Sequence, residues 1–251
     1  VRGFSLVSAA PLGTRFGLQK ENSALKGFLE MTHRHVTSRQ RVIDHGEVFT
    51  PPGLVNDMLD LVQHECERID SRFLEPACGN GNFLCEVLRR KLVTVTRQHA
   101  KNRLRWERDG ILCLCSLYGI DLLADNIAEC RERLLQVVEA AHERQFEESL
   151  PNEASRAAEF ILGRNIVQGD ALSLKTADGR AIVFSEWSPL NGMLIKRRDF
   201  AYEHLLESAH ISSLPLFSDT GKDVYVPVPV REFPATHYLK LPDAEEEHER
   251  P

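Results

Sequence analysis

From Gly53 onward, apolar residues return every three or four positions (Leu54, Val55, Met58, Leu59, Leu61, Val62), the period of a helix with one buried face. Pro51 and Pro52 suit its entry, because a first-turn residue has no intrahelical amide bond to lose. The short run Arg72 to Glu75 reads as a strand, and Phe83, Leu84, Val87 and Leu88 then mark the apolar side of a second helix. Leu112 to Ile120, closed by Asp121, reads as a second strand. Its apolar start Ile111-Leu112-Cys113-Leu114-Cys115 is taken as core strand, since free cysteine packs as a small hydrophobe. An amphipathic helix follows from about Ala124 to Glu143, with Ile127, Arg131, Leu134, Leu135 and Val138 in register. A linker (Glu148 to Asn152), a short helix, a third strand (Asn165 to Gln168) and a fourth (Arg180 to Ser185) complete the regular part. Strands alternating with helices predict an α/β fold, a mostly parallel sheet with helices on both faces.

The flanks are less regular. Residues 1–44 read as an extension that holds one helix around Ala24 to Glu30. Met31 inside it marks an alternative start, and His33 and His35 read as solvated. Past the fourth strand the pattern predicts a helix from Arg197 to Ala209 and two strands, Val224 to Val230 and Thr236 to Leu241. Pro227 and Pro229 place the first of these at a sheet edge. The domain proper is therefore expected over 45–242, with 243–251 an acidic, unstructured tail.

Composition narrows the class only a little. With 42% hydrophobic and 27% charged residues and no long apolar run, the chain is expected to be soluble and cytoplasmic, with no membrane association. Six scattered cysteines show neither zinc-site spacing nor a disulfide framework, so no metal is expected. The net charge of −6 does not advertise a nucleic-acid surface. Charge is segregated, however: Arg89 to Arg108 holds eight Lys or Arg against the single acid Glu107. That run is either a phosphate-facing patch or a solvated helix face. Lys196-Arg197-Arg198 poses the same choice, and Trp106 reads as a half-buried helix residue or a base-stacking ring.

The densest chemistry lies in Glu75-Pro76-Ala77-Cys78-Gly79-Asn80-Gly81-Asn82-Phe83, a glycine loop between strand and helix. Glycines let the backbone approach a ligand, and the helix start offers free amides to a nucleotide-like group. The dinucleotide fingerprint wants a third glycine where Leu84 stands, which lowers an NAD-type reading. Asp121 ends the second strand, placed to bind ribose hydroxyls, and Asp170 follows the third in Gly169-Asp170-Ala171. Each is commonplace alone, but all converge on one crevice at the carboxyl edge of the sheet.

Phe49-Thr50-Pro51-Pro52, the glycine loop, Tyr118-Gly119-Ile120-Asp121 and Gly169-Asp170-Ala171 together resemble the adenine-specific DNA methyltransferases of restriction–modification systems, over roughly His45 to Ala171. The resemblance implies a Rossmann-like class I methyltransferase fold with S-adenosylmethionine across the sheet edge. On that basis Thr50 and Glu75, Ala77, Cys78, Gly79, Asn80 and Gly81 would hold the methionine portion. Asp121 and Leu122 would take the ribose and one adenine face, and Asp170 and Ala171 the adenine edge. Cys78 would be a small packing residue. The family's fourth strand ends in Asn/Asp-Pro-Pro-Tyr/Phe, which accepts protons from the target amine and stacks the flipped base. Here that place holds Ser185-Glu186-Trp187-Ser188-Pro189. Either Glu186 is the acceptor, Trp187 the platform and Pro189 the stiffener, or the motif is structural and Trp187 packs in the core. DNA is the expected substrate, with a specificity or nuclease subunit as the expected partner. The rival expectation is a cofactor-binding subunit without catalysis.

Overall fold

The computed structural model describes residues 5–6, 41, 43, 49–206 and 227–248. The expected helix at 24–30, Met31, His33, His35 and the boundary at 44 lie outside the described residues. Side chains alternate between two cores along each central strand. In β2 (Phe73–Glu75), Phe73 and Leu74 enter different clusters, as do Leu117 and Tyr118 in β3 (Leu117–Asp121). A strand buried on both faces belongs in the middle of a layered α/β fold.

These strands form a parallel sheet in the order β1-β2-β3-β4, with β1 (Ser5–Leu6) and β4 (Ile166–Gln168) at its edges. Phe73 pairs with Leu117, and Gly119 with Ile166. Parallel neighbours need long crossovers. The first is α3 (Asn82–His99) with α4 (Arg103–Cys115), the second α5 (Ala124–Phe146) with α6 (Asn152–Asn165). Before β2 come α1 (Pro52–Asp60) and the single turn α2 (Gln63–Cys66). The four crossover helices fill the core on the Phe73 and Leu117 face. Val55 and Leu59 of α1 join them, and so do Ile127, Leu134 and Val138 of α5, as the helical period predicts.

The opposite face differs from expectation. Phe184, Phe200, Tyr202 and Leu205 pack there on Leu74, Tyr118 and Ile120. They come from an antiparallel sheet and the helical residues 202–206, so the expected helix from Arg197 begins five residues late; its expected end at 209 lies outside the described residues. The sheet pairs β5 (Val183–Pro189) with β6 (Leu194–Ala201), and β6 with β7 (Arg231–Glu232) and β8 (Thr236–His237). The expected fourth parallel strand is thus the first strand of a hairpin, with Ser185 opposite Asp199.

Three further expectations change. Ile111 to Cys115 form the last turns of α4, because a helix buried on every side shows no polar face to betray its period. Residues 227–230 form no strand, while 224–226 lie outside the described residues. The chain turns into a 3-10 segment (Tyr238–Lys240) straight after β8. Residues 243–248 of the acidic tail are helical, within α7 (Leu241–His248), while 249–251 lie outside the described residues. Asp243 in the first turn faces Arg156 Nη2 at 3.2 Å and Lys240 Nζ at 3.3 Å. Among the described residues no helix is long and apolar enough to cross a membrane.

Candidate cofactor crevice

The loop after β2 is shaped by two backbone conformations that favour glycine. Gly79 has φ +51° and Gly81 φ +86°. A Cβ on Gly81 would stand 2.6 Å from Cys130 Sγ, so α5 approaches the loop as closely as a hydrogen atom permits. Cys78 N–H donates to Ile120 O at 2.9 Å, extending the β2–β3 ladder one rung past the strand. The absent third glycine finds its physical substitute here. Close helix–strand packing is provided by Gly119 on β3, where a Cβ would meet Cys78 Sγ at 3.0 Å and Leu84 Cδ1 at 3.1 Å.

Asp121 fastens the loop to the next turn. One carboxylate oxygen accepts from Gly79 N–H at 2.9 Å, the other from Leu123 N–H at 2.9 Å and from the Asn126 amide at 3.1 Å. From α5, Arg133 Nη1 donates to Asn80 O at 2.7 Å, and Glu129 Oε1 accepts from the Asn80 amide at 2.9 Å. Asn82 Nδ2 donates to Thr50 O at 3.2 Å, tying the segment before α1 to the loop. The start of α3 has Gly81 as its N-cap and no side-chain cap, and Asn82 and Phe83 of its first turn line the crevice, at the positive end of the helix dipole.

A cavity of about 410 Å³ opens at this edge, inside the ~300–1,000 Å³ span of small-molecule sites. Thr50, Glu75, Ala77, Cys78, Gly79, Asn80, Asp121, Leu122, Asp170 and Ala171 all line it. Gly81 is not on the wall; it shapes the loop from the N-cap. Phe49 and Phe83, inside the quoted motifs but assigned no role there, also line it, as do Met58, Asn126 and Leu172 from outside those motifs. Asn126, one turn after Asp121, orients that carboxylate, and the spacing of five was the signal.

Two carboxyls on the wall differ sharply. Glu75 has no ion-pair partner among the described residues, and burial raises its pKa to about 7 against the lowering effect of the Ala77 amide. Asp170 is half-buried and held below the ordinary carboxylate range, first by the Leu172 N–H, which donates to it at 2.9 Å, then by Ser173. Its carboxylate caps its own turn, and Leu172 stands 96% exposed at the cavity mouth.

Glu186, Trp187 and Pro189 do not line this cavity. Glu186 is buried between Arg72 and Arg198, with Arg198 Nη2 at 2.6 Å. Trp187 is buried against Phe160 and donates its Nε1–H to Asn165 Oδ1 at 3.3 Å. Burial of Glu186 and Trp187 fits the structural alternative for these two, since β5 turns away into the antiparallel sheet, while Pro189 is exposed at its end. Trp106 is likewise core, fully buried with its Nε1–H on Thr96 Oγ1.

The basic runs are largely neutralised at home. Arg90 pairs with Asp60 and Glu86, Arg103 with Glu107 and Glu148, and Arg108 with Asp109. Lys91 is buried, Arg197 and Arg198 pair with Asp199 and Glu186, and Lys196 with Glu232. Charges so paired release few counterions to a phosphate backbone. No family model, curated protein or solved structure matches the chain.

Proposed function

We propose that this chain binds S-adenosylmethionine in the crevice and serves methyl transfer to the exocyclic amine of adenine in DNA. The observation that carries the reading is the convergence of Thr50, the Glu75–Asn80 loop, Asp121–Leu122 and Asp170–Ala171 on one cavity. The wall's chemistry fits the group. The uncapped start of α3 suits the methionine carboxylate. Glu75, half-buried and without an ion-pair partner among the described residues, suits the ammonium. Asp121 has spent three acceptor positions, on Gly79, Leu123 and Asn126, which leaves room for about one more bond. The cofactor supplies an electrophilic methyl carbon on a sulfonium; the chain's part is to bind, orient and exclude water.

The burial of Glu186 and Trp187 favours a second reading within the same class. In it the chain is the cofactor-binding part, and the groups that accept the amine protons and stack the base come from outside the described residues or from a partner subunit. Calorimetry with S-adenosylmethionine, S-adenosylhomocysteine and NAD tests binding. Saturable heat with the first two and none with NAD is expected; silence with both sulfur compounds ends the proposal. Transfer of labelled methyl to unmethylated DNA, by the chain alone and with candidate partners, then separates the two readings.

A further inference from the structure

A second cavity, about 630 Å³, runs between α3 and α5 on the solvent side. Its floor is Leu92, Val93, Val137, Ala140 and Ala141, and its cationic groups are Arg89, Arg133 and Arg144, with no acidic residue in the lining. In a chain of net charge −6 this local balance is reversed. Arg89 is half-neutralised by Glu86 at 3.3 Å from outside the groove, while Arg133 and Arg144 have no carboxylate partner among the described residues. Val93 is 67% exposed at mid-helix, a valine left in water at the centre of a concave apolar strip.

We propose that this groove docks an acidic amphipathic helix of a protein partner. On α5 the lining spans Arg133 to Gln145, about 18 Å of helix at 1.5 Å per residue, which matches three turns of an occupant. Ala140 and Ala141 leave room for the close approach of two helix axes. Apolar anchors at helical spacing would cover Val93 and Val137, and flanking carboxylates would meet Arg89 and Arg133 near one end and Arg144 at the other. A nucleic-acid backbone fits less well, since phosphates gain nothing from the apolar floor. Arg133 also donates to Asn80 O, so the groove and the glycine loop share a residue.

The test needs no nucleotide and is independent of the crevice reading. A blocked helical peptide of about fourteen residues, with leucines every three or four positions and glutamates flanking them, is titrated by fluorescence anisotropy. Its lysine-for-glutamate counterpart and a DNA duplex of similar length are titrated in parallel. Saturable binding of the glutamate peptide is expected, at least tenfold weaker with Val93→Asp and with Arg144→Glu. Both residues are exposed, and circular dichroism checks that the variants stay folded. Absence of saturable binding, equal binding of the lysine peptide, or indifference to Val93→Asp overturns the proposal. So does DNA binding that Arg144→Glu abolishes while the glutamate peptide fails to compete.

Discussion

Glu75 is a carboxyl placed where a cation is wanted and none is supplied by the described residues. With its pKa raised to about 7 by burial, it stays protonated in the fold at pH values where an unfolded chain has released the proton. Between about pH 4.5 and 7 the unfolded state then binds fewer protons, so this group's contribution to stability falls as pH rises. A ligand ammonium reverses that cost, since it binds the ionised form. Affinity for S-adenosylmethionine is expected to rise about twenty-five-fold from pH 5.5 to 7.5, and Glu75→Gln is expected to flatten the profile; calorimetry across that range reads both. Lys91 presents the opposite case. Its Nζ donates to the carbonyls of Arg68 at 2.6 Å, Ser71 at 2.7 Å and Ile69 at 3.3 Å, and burial lowers its pKa to about 8. Above pH 8 the fold releases a proton that the unfolded chain keeps to about 10.4, so Lys91's contribution rises with pH. Lys91→Met orphans those carbonyls and should destabilise by about 1–3 kcal/mol near neutrality. In urea melts the gap to wild type should widen toward pH 10.

The glycine loop is an element whose conformation was legible because its determinants are local. Two glycines, a strand before and a helix after leave few alternatives, and Asp121 and Asp170 were placed by the ends of β3 and β4. The Arg133 and Glu129 contacts from α5 escaped notice, because nothing in a helix's sequence says which exposed pair will meet a loop. The run Ile111 to Cys115 failed for a different reason: an apolar pentapeptide fits a buried strand or the last turns of a buried helix equally, and only the helical start at Arg103 decides. The tightest constraint in the element is at Gly81, with positive φ and Cys130 Sγ in the path of any side chain. Gly81→Val should cost about 2–4 kcal/mol in stability and remove cofactor binding. Pairing it with Cys130→Ala should recover part of the stability. If thermal melts show no recovery, backbone strain rather than the Cys130 contact dominates.

At the scale of the molecule, what the sequence could not convey was how distant elements share charge and where the hairpin packs. Arg72 and Glu186 are 114 residues apart, so neither the burial of Glu186 nor the loss of basic surface was readable from local pattern. The antiparallel sheet is tied to the parallel one by that ion pair and by Tyr118 Oη, which donates to Ser185 O at 3.1 Å. Aromatic edges of Phe184 on Tyr118 and Tyr202 fill the space between. These contacts favour a scaffold role for Ser185 and Glu186, and the scaffold reading has a consequence that a catalytic one lacks. Removing Trp187 empties a buried volume against Phe160, so Trp187→Ala should destabilise by about 3–5 kcal/mol. Removing the Glu186 carboxylate leaves Arg72 and Arg198 without their shared partner, and Glu186→Ala should cost about 3 kcal/mol. Neither residue lines the crevice, so S-adenosylmethionine affinity should stay within about twofold at a temperature where both variants are folded. A methyl-transfer group would behave the other way round, with activity lost at unchanged melting temperature. Measuring melting, affinity and methyl transfer on the same two variants therefore decides whether this strand holds the molecule together or does its chemistry.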